Sequence, residues 1–332
     1  MNFKNIKLEK GMYDVAGKSF SQILEEIDPS EQYEGTAYAE YDAYQRQLKR
    51  FDIKVSGSQS SMVSKFFANP QSAVLYPEFL KRAIKAGYDS FNHLDDILAC
   101  RVDFDGYDYR PLSLNSLSDT SGSMDIGEGM AMGNNLLKIS SGPSNSVRKQ
   151  GYTLNVSYES IATQKIDVFA VYLHDIGRGM ARANFNTFID PLITMAATIH
   201  ETVNSASLIY MDLINVLVQY ERFKMTTIIT NPTMFSKMLL MEEFKNANYG
   251  VDFRTTGKLL TPFGATIISS IAVPIGRIIT LDKNAAIGMV GGGEILLENG
   301  KLIENQLATT CISTRFTYVP FYGEAVKVIK LK

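Results

Sequence analysis

Gly151-Tyr-Thr-Leu-Asn-Val-Ser-Tyr-Glu159, followed by the run from Ser160 to Pro191, decides the fold. Tyr152, Leu154 and Val156 alternate with Thr153, Asn155 and Ser157, the period of a strand with one covered face. The period then changes. Ile166, Phe169, Leu173, Ile176 and Met180 recur at intervals of three and four, one apolar stripe along a helix. Lys165, Asp167, Asp175, Arg178 and Arg182 fall on the opposite face. Run to Ile189, this helix would be about 35 Å long. Gly177 and Gly179 each weaken it by up to about 1 kcal/mol relative to alanine, so long-range packing must hold it. A strand feeding one long spine helix is an architectural signal, not a chemical one.

Working outward, 332 residues allow one large domain or two smaller ones. The chain is 45% hydrophobic and 20% charged with a net charge of −2, which argues against a dedicated nucleic-acid binder. The opening decapeptide has no apolar segment of signal-peptide length. The most apolar stretch, Ala265 to Gly276, is interrupted by Ser269, Ser270 and Pro274 and is too short to span a bilayer. Cys100 and Cys311 lack metal-ligand spacing and read as two buried thiols in a reducing compartment.

The first 65 residues are polar and acidic, with Tyr33, Tyr38, Tyr41, Tyr44, Leu48 and Phe51 making a ragged helical stripe. They read as an arm with one helix and no core of its own, packed on something else. After Asn69-Pro70 a helix is expected from about Pro77, with Gly87 just past its end. Asp95, Asp96, Asp103, Asp105 and Asp108 invite a metal, but the ligand order of a calcium loop is absent and a solvated acidic face is the better reading. Residues 117–150 are rich in Gly, Ser and Asn. They read as an extended two-stranded hairpin, marginal alone and in need of a partner subunit. A helix within Ser207–Phe223 follows the spine. Strands at Thr226–Thr230, Thr266–Ser269 and Ile278–Leu281 then alternate with a helix through Phe235 and Met238, an α/β subdomain. The remainder is strands, with a hairpin turn at Glu298-Asn299-Gly300.

Recognisable catalytic patterns are missing. His93, His174 and His200 are scattered; His174-Asp175 has no accompanying metal set, and His200-Glu201 lacks a second histidine four residues on. Gly250 to Lys258 has the wrong spacing for a phosphate loop, and Gly291-Gly-Gly293 the wrong spacing for a dinucleotide site. No cofactor is expected.

Taken in order, these segments resemble the major capsid proteins of tailed bacteriophages with the HK97-type fold, a fold shared with encapsulins. Asn69-Pro70 through Gly87 is similar to the link from arm to peripheral domain, and Gly127-Glu128-Gly129 to Gly151 to the extended loop. Thr153 to Glu159 resembles the strand-to-helix entry. Thr227 to Pro232, Leu259 to Gly264 and Ile268 to Asp282 resemble the axial domain, and Arg315 to Val326 the closing strands. The likeness runs from about residue 65 to the end. It implies an α+β, L-shaped subunit: arm 1–65, peripheral domain 66–116, extended loop 117–150, peripheral domain with spine helix 151–205, axial domain 206–284, and peripheral strands 285–332.

It further implies a non-enzymatic protein that assembles with itself into hexamers and pentamers of an icosahedral head, in the host bacterial cytoplasm. That head would enclose double-stranded DNA without sequence-specific binding, alongside portal and scaffolding or decoration proteins and no membrane. Some members cross-link a loop lysine to a neighbour's asparagine, for which Lys138 and Lys149 are available; Arg148 and Lys149 could pair with Asp103 or Asp105 of a neighbour. An encapsulin-type compartment, and an enzyme with an acidic site, stay open as alternatives.

Overall fold

The computed structural model describes residues 3–13, 15, 18–91, 93–114, 127–129, 137–139, 144–202, 208–244, 259–261, 264–291, 295–302 and 304–331. Its α-helices are α1 (Phe20–Ile27), α2 (Ala43–Arg50), α3 (Pro70–Ala73), α4 (Tyr76–Phe91), α5 (Tyr158–Thr163), α6 (Ile166–Met195), α7 (Tyr210–Val218) and α8 (Pro232–Leu239). Its strands are β1 (Arg101–Val102), β2 (Asp108–Tyr109), β3 (Leu112–Leu114), β4 (Leu137–Ile139), β5 (Asn145–Ser146), β6 (Arg148–Ser157), β7 (Thr198–Glu201) and β8 (Thr227–Thr230). They continue with β9 (Leu259–Leu260), β10 (Thr266–Ser269), β11 (Arg277–Leu281), β12 (Ile287–Val290), β13 (Leu296–Leu302), β14 (Leu307–Pro320) and β15 (Val326–Lys330). Two compact units result. One comprises Met1–Asn92, Gly151–Asn184 and Glu294–Thr314; the other comprises His93–Gln150, Phe185–Gly293 and Arg315–Lys332.

In the first unit the spine helix α6 buries the stripe its sequence carries. Ile166 and Leu173 are fully buried, with Phe169, Ile176 and Met180 partly buried on the same core. Lys165, Asp167, Asp175, Arg178 and Arg182 are exposed. The helix has 30 residues and passes through Pro191, beyond the expected end at Ile189. Proline there forgoes one backbone hydrogen bond, at about 3 kcal/mol or more. In the second unit, complete burial of Phe188 and Leu192 and near-complete burial of Ile189 offset that loss.

Gly87 does not end α4; it lies inside it, four residues before Phe91. A Cβ on Gly87 would stand 2.1 Å from the carbonyl oxygen of His174, and one on Gly177 would stand 2.1 Å from that of Ile84. The two glycines let the main chains of α4 and α6 touch. Sequence alone reads a late helical glycine as a stop, because the partner backbone that requires it is 90 residues away in the chain.

The N-terminal segment needs a further correction. It holds two α-helices, each opened by a reciprocal cap: Ser19 with Gln22, and Asp42 with Gln45. Leu8, Phe20, Leu24, Tyr44 and Leu48 enter one core with Phe66, Leu75, Leu80 and Leu173. Its apolar face is therefore covered by its own chain. Arg46 is wholly buried there. Its Nε donates to Asp28 Oδ2 at 2.7 Å and its Nη2 to the Asp28 carbonyl, while the guanidinium lies 4.2 Å from the Tyr33 ring centre. The apolar stripe looked ragged because only Tyr44 and Leu48 lie within α2, while Tyr33 belongs to a 3-10 turn at Ser30–Tyr33 and Phe51 caps the end of α2.

Also in this unit, β13 pairs antiparallel with β14 from Leu296↔Ser313 to Leu302↔Leu307, and β6 pairs with β14 as well. Asn299-Gly300 is thus mid-strand, not a turn. Thr310 donates to the Asn299 side chain at 2.8 Å, and the chain reverses at Glu304-Asn305-Gln306, where Gln306 has φ 53°. Cys311 faces Glu298 across this ladder and is exposed, while Cys100 is half-buried; they are not two buried thiols.

The second unit is built on a six-stranded sheet in the order β7-β15-β11-β8-β10-β9. β8 and β10 run parallel, β11 is antiparallel to β8 and β15, and β15 is parallel to β7. Every residue of β8 is buried because both faces are covered. Ile229, Ile279 and Val328 enter one cluster with Phe188 and Leu192, and Ile228, Ile278 and Ile329 enter another with α7 and α8. The expected helix within 207–223 is the shorter α7. Beside this sheet in the chain, β12 pairs with β1 and with Thr317–Pro320 of β14.

Candidate functional site

The sequence motifs for chemistry do not converge. His174 is part of the spine helix, where its main chain abuts Gly87; Asp175 beside it is exposed. His200 lies on β7 and its Nε2 is buried without a hydrogen-bond partner among the described residues. Gly291 has φ 145° and a Cβ there would meet the Arg315 carbonyl at 2.3 Å, so close backbone approach explains that glycine. Residues 250–258 and 292–293 lie outside the described residues. Among the described residues, no three His, Cys, Asp or Glu side chains are grouped to hold a metal, and no helix is long and apolar enough to cross a membrane.

What the structure does present is surface. Residues 117–126, 130–136 and 140–143 of the expected hairpin lie outside the described residues, but its base is a two-stranded ladder. Asp108↔Ser146 and Tyr109↔Asn145 pair first, then Leu112↔Ile139 through Leu114↔Leu137. Leu112 and Ile139, directly opposite each other, are 57% and 67% exposed. Tyr107 is also exposed, with Arg315 5.3 Å from its ring centre.

Asp103, Asp105, Arg148 and Lys149 are all exposed at this base, and Lys138 is exposed on β4. Val147 donates to the Tyr107 carbonyl at 2.7 Å, so Arg148 follows the strand opposite Asp105-Gly106 in the same chain. Among the described residues, Asp103, Asp105, Arg148 and Lys149 form no ion pair. Arg101 does pair, with Asp95 at 2.6 Å.

A second apolar surface was missed in the sequence. Ile271 and Ile275 are 85% and 81% exposed on the loop between β10 and β11, while Val273 between them is fully buried. The loop is fixed by its own hydrogen bonds. Asn231 Nδ2 donates to the Val273 carbonyl at 2.9 Å, and the Leu331 N–H to the Gly276 carbonyl at 2.8 Å. The one available signal was the apolar run 265–276 itself, read only for its length. At the other end of the sheet is a cavity of about 370 Å³ lined by Leu217, Tyr220, Phe223, Lys224, Met225, Thr226 and Gly264. Tyr220 shares a hydrogen bond with Thr280 at 2.9 Å, and burial is the main cause holding its hydroxyl in the protonated form.

The sequence matches no protein-family model and no curated protein. Solved structures do match. A virus-like particle from Pyrococcus furiosus aligns with TM-score 0.52 and 15% identity over 76% of this chain and 98% of its own. The capsid of cyanophage P-SCSP1u aligns with TM-score 0.53 and 14% identity over 72% and 88%. The fold is HK97-like. An encapsulin from Synechococcus elongatus shares this HK97-like fold at TM-score 0.52 and 12% identity, over 71% of this chain and 86% of its own. The α+β class, spine helix and mixed sheet are properties of that fold.

Proposed function

We propose that this chain is the repeating subunit of a closed protein shell, a phage-type major capsid protein that works by self-association and not by catalysis. The observation supporting this most is the extent of the fold match: the alignment takes in 98% of the virus-like-particle subunit and 88% of the cyanophage capsid subunit. Exposed apolar pairs such as Leu112–Ile139 fit such a role, since surfaces of this kind mark interaction sites. In this reading the subunits form hexamers and pentamers of an icosahedral head in the bacterial cytoplasm and enclose double-stranded DNA, with portal and scaffolding or decoration proteins as partners. The ladder leading into residues 115–136 lies on a neighbour. Lys138, Arg148 and Lys149 supply its cations, and Asp103 and Asp105 receive them. These are rim contacts of about 0–1 kcal/mol each, repeated at every subunit.

The test is electron microscopy of the expressed chain beside a variant in which 115–136 is replaced by a short turn. Wild type should form closed particles; the variant should melt like wild type and form none. Normal particles from the variant would remove the loop assignment, and a strictly monomeric wild type under all assembly conditions would remove the shell. The encapsulin alignment favours one second reading, a compartment for protein cargo. Nuclease-protected DNA within native particles supports the phage reading, and protein cargo the compartment.

A further inference from the structure

Resting on the shell reading, we propose that the second unit carries a plug and a socket for a second copy of this chain: Ile271 and Ile275 of one copy enter the cavity beside Tyr220 and Phe223 of the next.

The argument begins with where the sheet places them. β8 starts at Thr227, directly after the cavity residues Met225 and Thr226, and ends at Thr230. β10 starts just after Gly264 at the cavity rim and ends at Ser269, immediately before the isoleucine loop. The partners of β8 agree: Leu281↔Thr227 sets the end of β11 at the cavity side, and Ile278↔Thr230 sets its start at the loop side. Plug and socket therefore stand at opposite ends of the same strands, separated by about 13 Å of β8 alone. They cannot meet within one chain. A contact of one surface with a different surface of the next copy is head-to-tail, which closes into rings when the rotation between copies allows.

Chemistry and rigidity fit as well. The plug is two branched aliphatic side chains held apart by the buried Val273 and by Pro274. Its main chain is tied at Val273 and Gly276, so little ordering is needed on docking. The socket has apolar walls from Leu217, Phe223 and Met225 beside the polar Tyr220, Lys224 and Thr226, and its volume is about 370 Å³. The polar groups beside it are already occupied. Thr226 Oγ1 accepts from the Lys283 N–H at 2.7 Å, and Asp282 accepts from the Lys224 N–H at 2.9 Å. Entry of an apolar group thus strands none of these donors or acceptors. The exposed Lys224 side chain and Gly264, with no atom within 4 Å of a Cβ built on it, belong to the lining.

The experiment uses the full chain with Cys100→Ala and Cys311→Ser, to which Ile275→Cys and Lys224→Cys are added. A bis-maleimide too short to bridge the length of the sheet is then applied. The doubly substituted chain should give a ladder of cross-linked species. A mixture of the two singly substituted chains should stop at dimers, and each alone should give none. Separately, Ile271→Ser with Ile275→Ser should lower particle yield at least tenfold with an unchanged melting temperature. Normal particles without cross-links, or normal yield from the serine variant, overturn the plug and socket while the shell reading stands. A ladder without particles supports the contact and removes the shell. Neither ladder nor particles removes both.

Discussion

Gly177→Ala tests the closest packing in the first unit. An alanine Cβ would sit 2.1 Å from the Ile84 carbonyl oxygen and 2.7 Å from the Tyr88 nitrogen. That is at least roughly 1 Å inside ordinary contact distance, and the obstructing atoms are main chain, with no rotamer to yield. To fit the methyl, α4 and α6 must separate, loosening Leu80, Ile84 and Leu173, all fully buried. A radial gap of about 1 Å forfeits up to about half of each atom-pair attraction across the seam. Overpacking typically costs about 1–3 kcal/mol, and a backbone obstruction belongs at the upper end. Replacing a helical glycine returns up to about 1 kcal/mol, so the net loss should be about 2 kcal/mol or more. Gly179, one residue beyond Arg178 on the same helix, has nothing within 4 Å of its Cβ position. Gly179→Ala should therefore stabilise, by up to about 1 kcal/mol. Urea melts of each variant beside wild type would measure both, followed by circular dichroism because the chain has no tryptophan. Shifts of the same sign for the two variants would refute the crossing.

Three further outcomes follow from the same unit. Asp28→Ala should cost about 3–5 kcal/mol by leaving the wholly buried Arg46 unpaired, and Asp28→Ala with Arg46→Met should recover much of it in the same urea melts. Glu25 is pulled upward by burial. It nevertheless lies below its ordinary 4.5, because hydrogen bonds from Ser30 and Ala43 and the charge of Arg46 outweigh that pull. Its contribution is therefore present above about pH 4.5 and lost as pH falls through the lower folded value. The advantage of wild type over Glu25→Gln should shrink in melts below that pH, and a pH-independent difference would contradict this. Leu173→Ala should cost about 2–5 kcal/mol as a cavity in the spine-helix core, read from the same midpoints.

The spine helix was legible because one face meets a core along its length, so Ile166 through Met180 carry the period in their types alone. The strands at 227–230, 266–269 and 277–281 were legible because both sheet faces are covered and the residues are β-branched. Elsewhere the meaning of a residue depended on something distant in the chain. Gly87 reads as a stop until Gly177 is opposite it. Asn299-Gly300 has the local chemistry of a turn, but seven register pairs between β13 and β14, together with the Thr310 hydrogen bond, outweigh it. Nothing local to Arg46 signals its burial, which comes from Asp28, Ser30 and Tyr33 enclosing it. For the candidate surfaces the limit was different. Exposure of Ile271 and Ile275 alternates with burial of Val273 through loop geometry, which has no sequence period to read.

The position of β15 bears on how this chain is made. Val326–Lys330 lies between β7 and β11, so among the described residues β7 has no neighbour in the sheet until residue 330 has emerged from the ribosome. More than a hundred residues of synthesis separate β7 from its partner. At roughly 5–20 residues per second, that leaves an open strand edge for about 6–25 s. A chain terminated before Val326 would keep that edge permanently, along with the bare side of β11, and such edges promote aggregation. Only a chain translated through Lys330 can therefore complete this sheet.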